Sequence, residues 1–353
     1  MIRILLLSCF FLSLVGCAAP STVRVQVDAE AMAGEAAIQK QLAFDKQSEY
    51  SDRLNNISSV ILRSAAPMCP EDQGKTMSID AADKKMFGKD WETEANVKFG
   101  VGDQFVITWV SPTGGGAEAG LQVGDSILAV NGTDYGSAKN ERDQFLNSLR
   151  AITETTSDFA TVILDRSGEK RSVSVPLKQQ CNFDVRLDPS DIVNAYADGK
   201  NIIITRGMMR FATKDEQLAL VISHELGHNV MNHMDKKMTN YALGSILDIA
   251  AAAYGVNTQG LFGSAAAQTY SQDFEAEADY VSLYYLKAAN LPVESVANFW
   301  REMAAEHPGS IKSNHAASHP ATSERFLAIE KTVAEIRLKA DSGQNLTPNF
   351  LPK

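Results

Sequence analysis

Residues 224 to 228 read His-Glu-Leu-Gly-His, a combination of residue types and spacing that can hold a metal ion. On a helix, His224 and His228 are four residues apart, so both imidazoles project from one face and can bind one Zn²⁺. Glu225 lies beside that face, where it can take a proton from a water held at the metal. A metal, a water and a base together can hydrolyse a peptide bond.

The surroundings of this pentapeptide favour a metal site over an ordinary helix with two surface histidines. A buried helix rarely carries two histidines and a glutamate unless something pairs with them. His233 falls on another face and is interpreted as structural. Burial is predicted because apolar residues recur at helical spacing along the segment, at Leu218, Val221, Ile222, Leu226 and Val230.

Two histidines leave a catalytic zinc one protein ligand short of the usual three. Glu275 and Asp279 are four apart, hence on one helical face. One carboxylate can bind the metal, and the other can accept a ring N–H from a ligand histidine and so fix its tautomer. Glu277 points elsewhere and is interpreted as solvated or structural, and Asp273 is a weaker candidate ligand. The alternative is an acidic amphipathic helix that binds no metal.

The N-terminus has the pattern of a targeting segment. Met1-Ile-Arg3 is a short positive region, and residues 4–15 form an apolar run too short for a typical membrane-spanning helix. The run ends in Leu14-Val-Gly-Cys17, which resembles a bacterial lipobox. The resemblance implies a signal peptide over residues 1–16, lipid on Cys17, and a lipid-anchored protein of the bacterial cell envelope. Ala18 after the cysteine is typical of the outer membrane, with the protein facing the periplasm. The alternative is a plain signal peptide with a stray cysteine.

The chain has four cysteines, and two of them remain for a disulfide. Cys9 leaves with the signal peptide and Cys17 is taken by lipid, so Cys69 and Cys181 are an even pair in an oxidising compartment. We predict a disulfide between them, the alternative being two free buried thiols.

Length and charge restrict the classes of function. The length exceeds that of one typical domain, so two are expected. The net charge of −10, with no basic cluster, argues against nucleic-acid binding.

Residues 17–35 are small and polar and predict a tether. Residues 36–95 are expected to form the N-terminal helical part of the catalytic domain, with one apolar stripe at Tyr50, Leu54, Ile57 and Ile61.

Residues 96–178 resemble a PDZ domain of the bacterial type. The resemblance is carried by Ala119-Gly-Leu-Gln-Val-Gly-Asp125 and the following Val130-Asn-Gly132. It implies a module that binds extended peptides by strand addition, with a candidate peptide-binding edge that starts at Phe99, Gly100 and Val101. A degenerate module that only packs on its neighbour is the alternative. Because Cys69 and Cys181 flank this module, it is expected to be an insert clamped at both ends.

The pentapeptide together with Glu275-x-x-x-Asp279 resembles the metallopeptidase family that includes HtpX, BepA and the CAAX prenyl endopeptidases. Three further segments are similar: Asn194-Ala-Tyr, Ile204-Thr-x-Gly207, and Ser318-His319-Pro320 followed by Arg325. The resemblance implies an α+β fold, in which residues 185–340 form a mainly helical zincin-type (gluzincin) domain with a small sheet. The β-rich PDZ domain is inserted, and residues 341–353 form a C-terminal tail.

The same resemblance implies roles for individual residues. Glu275 becomes the third ligand of one Zn²⁺ per chain, and Asp279 becomes the partner of a ligand histidine. His319 is expected near the catalytic water, where it either stabilises the oxyanion or occludes the metal. The implied activity is that of a metalloendopeptidase acting on protein or peptide substrates in envelope quality control. The alternative is a chaperone-like or peptide-binding lipoprotein whose peptidase site is shut.

Two segments near the metal allow more than one interpretation. The β-branched strand at residues 201–205 can present an edge to an extended substrate, can be simple core, or can be both. Residues 241–270, rich in Ala, Gly and Ser, form either a lid hinged at Gly244, Gly255, Gly260 and Gly263 or a core helix with a loop. The oligomeric state has no signal in the sequence.

Overall fold

A computed structural model describes residues 21–135, 141–268, 271–306 and 323–351. The signal peptide, Cys17 and His319 therefore lie outside the described residues. The chain forms two compact units, residues 1–42 and 43–353. Among the described residues, no helix has the length and apolar character needed to cross a membrane.

The described residues form helices and three sheets. The strands are β1 (Gln73–Thr76), β2 (Ile79–Ala82), β3 (Phe105–Val110), β4 (Ser126–Val130), β5 (Thr133–Asp134), β6 (Phe159–Arg166), β7 (Glu169–Pro176), β8 (Lys178–Cys181), β9 (Asp184–Asp188), β10 (Ala195–Ala197) and β11 (Asn201–Thr205). The helices are α1 (Ala29–Ala65), α2 (Lys84–Phe87), α3 (Glu92–Phe99), α4 (Gly115–Glu118), α5 (Glu141–Thr153), α6 (Arg206–Phe211), α7 (Asp215–Val230), α8 (His233–Ala253), α9 (Leu261–Gln268), α10 (Ser271–Ala288), α11 (Val296–Glu306) and α12 (Ser323–Asp341).

One sheet has the strand order β2-β3-β4-β6-β7, with β5 paired to β4. Burial alternates along β6, where Ala160, Val162 and Leu164 face the core, as expected for a sheet with one covered face. Phe145 of α5 stacks on Phe105 of β3 at 4.1 Å between ring centroids. This sheet begins at Ile79 rather than at residue 96. The predicted boundary of 96–178 missed β2, because four residues reading Ile-Asp-Ala-Ala carry little strand signal.

A second sheet, ordered β10-β11-β9, supports the helix of the pentapeptide. β11 is antiparallel to β10 and parallel to β9. Residues 202–205 are all buried, which explains the continuous β-branched run in the sequence. Asn229 of α7 fixes the sheet to the helix: its Oδ1 accepts from the Gly199 N–H at 2.8 Å, and its Nδ2 donates to the Asn201 carbonyl at 3.1 Å.

The helix before the β2–β7 sheet and the helices after it share one hydrophobic core. Leu54 and Ile61 of α1 are buried in the same cluster as Leu218 and Ile222 of α7, and Tyr50 and Ile57 pack against that cluster. The apolar stripe predicted for α1 is therefore present. Because residues before and after the β2–β7 sheet build this one core, the sheet is an insertion in the sequence of the catalytic domain.

A disulfide joins Cys69 and Cys181 across 112 positions of sequence, with 5.7 Å between their Cα atoms. Both cysteines are buried in the shared core. The two-stranded sheet of β1 and β8 lies beside the bond, with Gln73 opposite Cys181. The two ends of the insert therefore meet at one covalent and hydrogen-bonded point.

The segment between the two predicted metal-binding helices folds as a helical hairpin of α8 and α9. A β-carbon on Gly244 would lie 2.3 Å from the Phe262 carbonyl oxygen, and one on Gly263 would lie 2.5 Å from Ser245 Oγ. These two glycines therefore allow the helices to approach, which corrects the prediction that they are hinges. Gly255 and Gly260 have φ values of +79° and +77° in the connecting turn. A lid over the metal stays a prediction.

The disulfide should contribute strongly to stability because it closes a long loop. We expect Cys69→Ser combined with Cys181→Ser to lower the free energy of unfolding by about 4–5 kcal/mol. Urea denaturation with and without dithiothreitol measures this. Reductant should bring the wild-type midpoint to that of the double variant and leave the variant unchanged. A wild-type midpoint that does not respond to reductant would contradict the prediction.

Candidate metal centre

Gly227, the fourth residue of the pentapeptide, lets α7 and α10 touch. A β-carbon at this position would lie 2.9 Å from a Val281 methyl group and 3.1 Å from the Ala278 carbonyl oxygen. Any larger side chain would push α10 away from α7. The close approach brings the carboxylates of α10 within reach of the histidines of α7.

His224, His228 and Glu275 converge on one buried point. Their ligand atoms all lie within 4.8 Å of one another. The two Nε2 atoms are 3.1 Å apart, and the Glu275 carboxylate oxygens lie 3.3 Å from His224 Nε2 and 3.4 Å from His228 Nε2. Two imidazoles and one carboxylate are the donor set of a catalytic zinc site. The structure thus brings together the three predicted ligands.

The charges around this point also fit a divalent cation. Glu225, Glu275 and Asp279 are buried carboxylates, and Arg325 is the one buried guanidinium beside them among the described residues. Buried charge is costly unless it is compensated. With both imidazoles neutral, as metal ligands must be, the three carboxylates and the guanidinium give a formal charge of −2, which a Zn²⁺ would balance. The donor chemistry and the charge therefore both suit zinc.

Asp279 contacts His224 on the side away from Glu275. His224 Nδ1 lies 2.9 Å from Asp279 Oδ1. Arg325 of α12 then holds Asp279 from behind, with Nε 2.8 Å from Oδ2 and a terminal nitrogen 2.9 Å from Oδ1. Arg325 also lies 3.4 Å from Glu275 and has its guanidinium 5.6 Å from the centre of the Trp300 ring. One arginine therefore positions two carboxylates of α10, Glu275 and Asp279.

The pKa values of this cluster reflect burial opposed by charge. Burial lowers the pKa of His224, but Asp279 and Glu275 outweigh it and raise the pKa to about 9. Burial raises the pKa of Asp279, but the charge of Arg325 and the contact with His224 outweigh it and lower the pKa. Asp279 is therefore held as a carboxylate, the form that can accept the His224 N–H.

The second ligand histidine has a partner that the sequence interpretation missed. His228 Nδ1 lies 2.9 Å from Nδ1 of His233, and His233 Nε2 lies 2.8 Å from Glu277 Oε2. His233 and Glu277 are therefore neighbours of the site rather than residues that point elsewhere. The sequence does show a histidine five residues after His228, but counting positions along one continuous helix places it on another face. That count does not apply, because α7 ends at Val230 and a new helix, α8, starts at His233.

Glu225 lines a cleft of about 220 Å³ that reaches the site, and His319 lies outside the described residues. The cleft runs between Tyr196 of β10, His228 of α7 and Met234 of α8. β11 has neighbours on both sides, so it offers no edge to a substrate. Residues 201–205 are therefore core, as one of the two interpretations had it, and among the described residues the outer strand of this sheet beside the cleft is β10.

The structure also moves the candidate peptide-binding edge of the insert. Phe99 ends α3, Gly100 has a positive φ of 71°, and Val101 is buried against Phe44. β3, the strand that follows, pairs with β2 over residues 106–110 and with β4 at Phe105 and Val106. Within the described residues β2 is an outer strand of this sheet, so it replaces Phe99, Gly100 and Val101 as the candidate edge.

The sequence matches two family models. One, described as peptidase family M48, covers residues 157–333, about half of the chain. The other, described as PDZ domain, covers residues 90–148. The first contains all five residues of the pentapeptide together with Glu275, Asp279 and Arg325, and the second lies within residues 79–176, the span of the β2–β7 sheet.

Three curated proteins show the range of similar chains. The mitochondrial metalloendopeptidase OMA1 of Schizosaccharomyces pombe is 25% identical over 49% of this chain and 53% of its own length. The beta-barrel assembly-enhancing protease of Yersinia pestis is 26% identical over 69% of this chain and 58% of its own length. The metalloprotease YcaL of Escherichia coli is 27% identical over 40% of this chain and 59% of its own length. The chain thus spans little more than half the length of these relatives.

Arg325 can be tested as the residue that compensates the buried carboxylates. Arg325→Met leaves Asp279 and Glu275 without their guanidinium, so we expect a loss of about 3–5 kcal/mol in the free energy of unfolding. Arg325→Lys keeps the charge but loses the two-point contact, so we expect zinc affinity to fall roughly 10–100-fold. Urea denaturation and chelator competition measure the two effects.

Arg301→Met is the matched control for this experiment. Arg301 pairs with Glu330 at 2.6 Å on the surface, where an ion pair is worth no more than about 1 kcal/mol. Equal losses of stability in Arg325→Met and Arg301→Met would contradict the assignment.

Proposed function

The chain belongs to peptidase family M48, and from that premise we propose that it is a zinc-dependent endopeptidase of the bacterial envelope. Its substrates are misfolded or misassembled envelope proteins, and its PDZ domain assists their selection. The convergence of His224, His228 and Glu275 beside the buried Glu225 is the observation that carries this proposal.

Each residue of the site has one task in this proposal. His224, His228 and Glu275 hold zinc, which when bound lowers the pKa of a coordinated water and polarises the scissile carbonyl. Glu225 lines the cleft, so it can take the proton of the attacking water and pass it to the leaving amine. Asp279, fixed by Arg325, keeps His224 aimed at the metal.

Substrate would reach this site as an extended chain. β10 offers an edge along the cleft, and an extended peptide can pair with it through main-chain hydrogen bonds. In the PDZ domain, β2 offers a second edge, where Ile79 and Ala81 pack against the same cluster as Leu149 of α5. Pairing at β2 would collect unfolded segments and raise their concentration near the metal.

A role for His319 separates the proposed enzyme from its alternative. As a donor to the oxyanion, His319 would support catalysis. As a fourth metal ligand it would shut the site and leave a chaperone-like lipoprotein. The lipobox at Cys17 supports the envelope location, and the relative named for beta-barrel assembly supports envelope substrates.

Replacing Glu225 tests the proposed base directly. Glu225→Gln keeps the size of the side chain and removes its ability to accept the proton, so we expect cleavage of unfolded casein to fall at least about 100-fold. Zinc content should stay at one ion per chain, because Glu225 is not one of the three ligands. His228→Ala is the contrasting variant and should lose both zinc and activity. Wild-type cleavage by Glu225→Gln would overturn the assignment.

The β2 edge is tested by comparing long and short substrates. Ile79→Lys places a charge in β2, the strand that offers the candidate edge, so we expect KM for unfolded casein to rise several-fold. Cleavage of a short peptide, which can occupy only the metal cleft, should be unchanged. Ile163→Lys, at an exposed position of β6 in the same sheet, is the control and should leave both substrates unaffected. Equal effects of the two variants would remove β2 from the proposal.

A further inference from the structure

We propose that His233 and Glu277 form a relay that positions the metal ligand His228. The inference rests on the proposed zinc site and goes beyond it, because it gives a role to two residues outside the ligand set. His233 is a positioning residue that acts through His228, and Glu277 acts through His233.

The ring nitrogens of this relay have one consistent assignment. His228 Nε2 faces Glu275 and His224, so it must present a lone pair to a metal there. In a neutral ring the proton is then on Nδ1, which donates to His233 Nδ1 at 2.9 Å. His233 Nδ1 is an acceptor, so its own proton is on Nε2 and is donated to Glu277 Oε2 at 2.8 Å. The position of Glu277 therefore selects the tautomers of both histidines.

The relay is built into its surroundings. The His233 side chain is 2% exposed, and its ring stacks on Phe274 of α10 at 4.6 Å between centroids. Glu277 also lies on α10, and Lys236 of α8 approaches it at 3.6 Å. His228 of α7 and two side chains of α10 thus hold the imidazole in one plane, and a fixed plane is what a relay to His228 requires.

The negative charge of the site explains why the partner of His228 is a neutral histidine, His233, and not a carboxylate. Glu225, Glu275 and Asp279 are already buried near the metal, with Arg325 as their guanidinium. A fourth buried carboxylate against His228 would add desolvation cost without a cation to offset it. His233 carries the hydrogen bond outward instead, to Glu277, whose side chain is 40% exposed and solvated.

His233 is placed to orient a ligand and not to be one. His233 contacts Nδ1 of His228, whereas the nitrogen of His228 that faces Glu275 is Nε2, on the other side of the His228 ring. Among the described residues the ligand atoms that converge belong to His224, His228 and Glu275 alone. The two ligand histidines are thus supported differently, His224 by an ion-paired carboxylate and His228 by a neutral imidazole.

Zinc affinity measured by chelator competition tests the relay, with the visible spectrum of the Co²⁺-substituted protein as a second readout. His233→Phe keeps the ring and its stacking but removes the acceptor, so we expect zinc affinity to fall about 10–100-fold and the Co²⁺ bands to shift. His233→Asn retains an oxygen near the Nδ1 position and should recover most of that affinity. Glu277→Gln should resemble wild type, because its amide oxygen still accepts, whereas Glu277→Leu should weaken binding.

Asp235→Asn, at an exposed position in the same turn of α8, is the control and should bind zinc like wild type. Equal zinc affinity in His233→Phe and wild type would overturn the relay, and so would equal losses in His233→Phe and His233→Asn. If His233→Phe does not fold, the contrast between Glu277→Leu and Glu277→Gln decides, and no difference between them overturns the relay. Failure of the wild-type protein to bind zinc would instead overturn the proposed function.

Discussion

Compensation of buried negative charge governs the organisation of the catalytic half of this protein. α7 and α10 can touch only because Gly227 has no side chain, and their contact brings buried ionisable groups together at the end of a cleft. Arg325 of α12 pairs with Glu275 and Asp279, and His224, His228 and Glu275 form a donor set that suits a divalent cation. The rest of the domain supplies the rigid helices and the shared core that make this costly arrangement persist.

Sequence patterns predicted the parts of the site that depend on spacing within one helix. His224, Glu225 and His228 follow from helical geometry, and the pairing of Glu275 with Asp279 follows from the same rule. The stripe on α1 and the buried β11 were likewise visible, because burial leaves a periodic or continuous apolar pattern.

Other parts depend on contacts between elements that are remote in sequence, and no local pattern records them. Arg325 and Asp279, which form an ion pair, are 46 residues apart in sequence, and His233 and Glu277 are 44 residues apart. The turn between α7 and α8 reorients His233, so a face count on one continuous helix gave the wrong answer. β2 was missed because a short strand is identified by its partner, β3, rather than by its own residues.

The disulfide gives the molecule a covalent topology that differs from its linear sequence. Cys69 and Cys181 close the chain into a ring that contains the whole β2–β7 sheet, with α1 and the catalytic helices leaving from the same point. A single peptide-bond break anywhere inside that ring leaves one covalently connected molecule. A nick between residues 69 and 181 would therefore leave α1 covalently joined to the half of the chain that carries His224, His228 and Glu275.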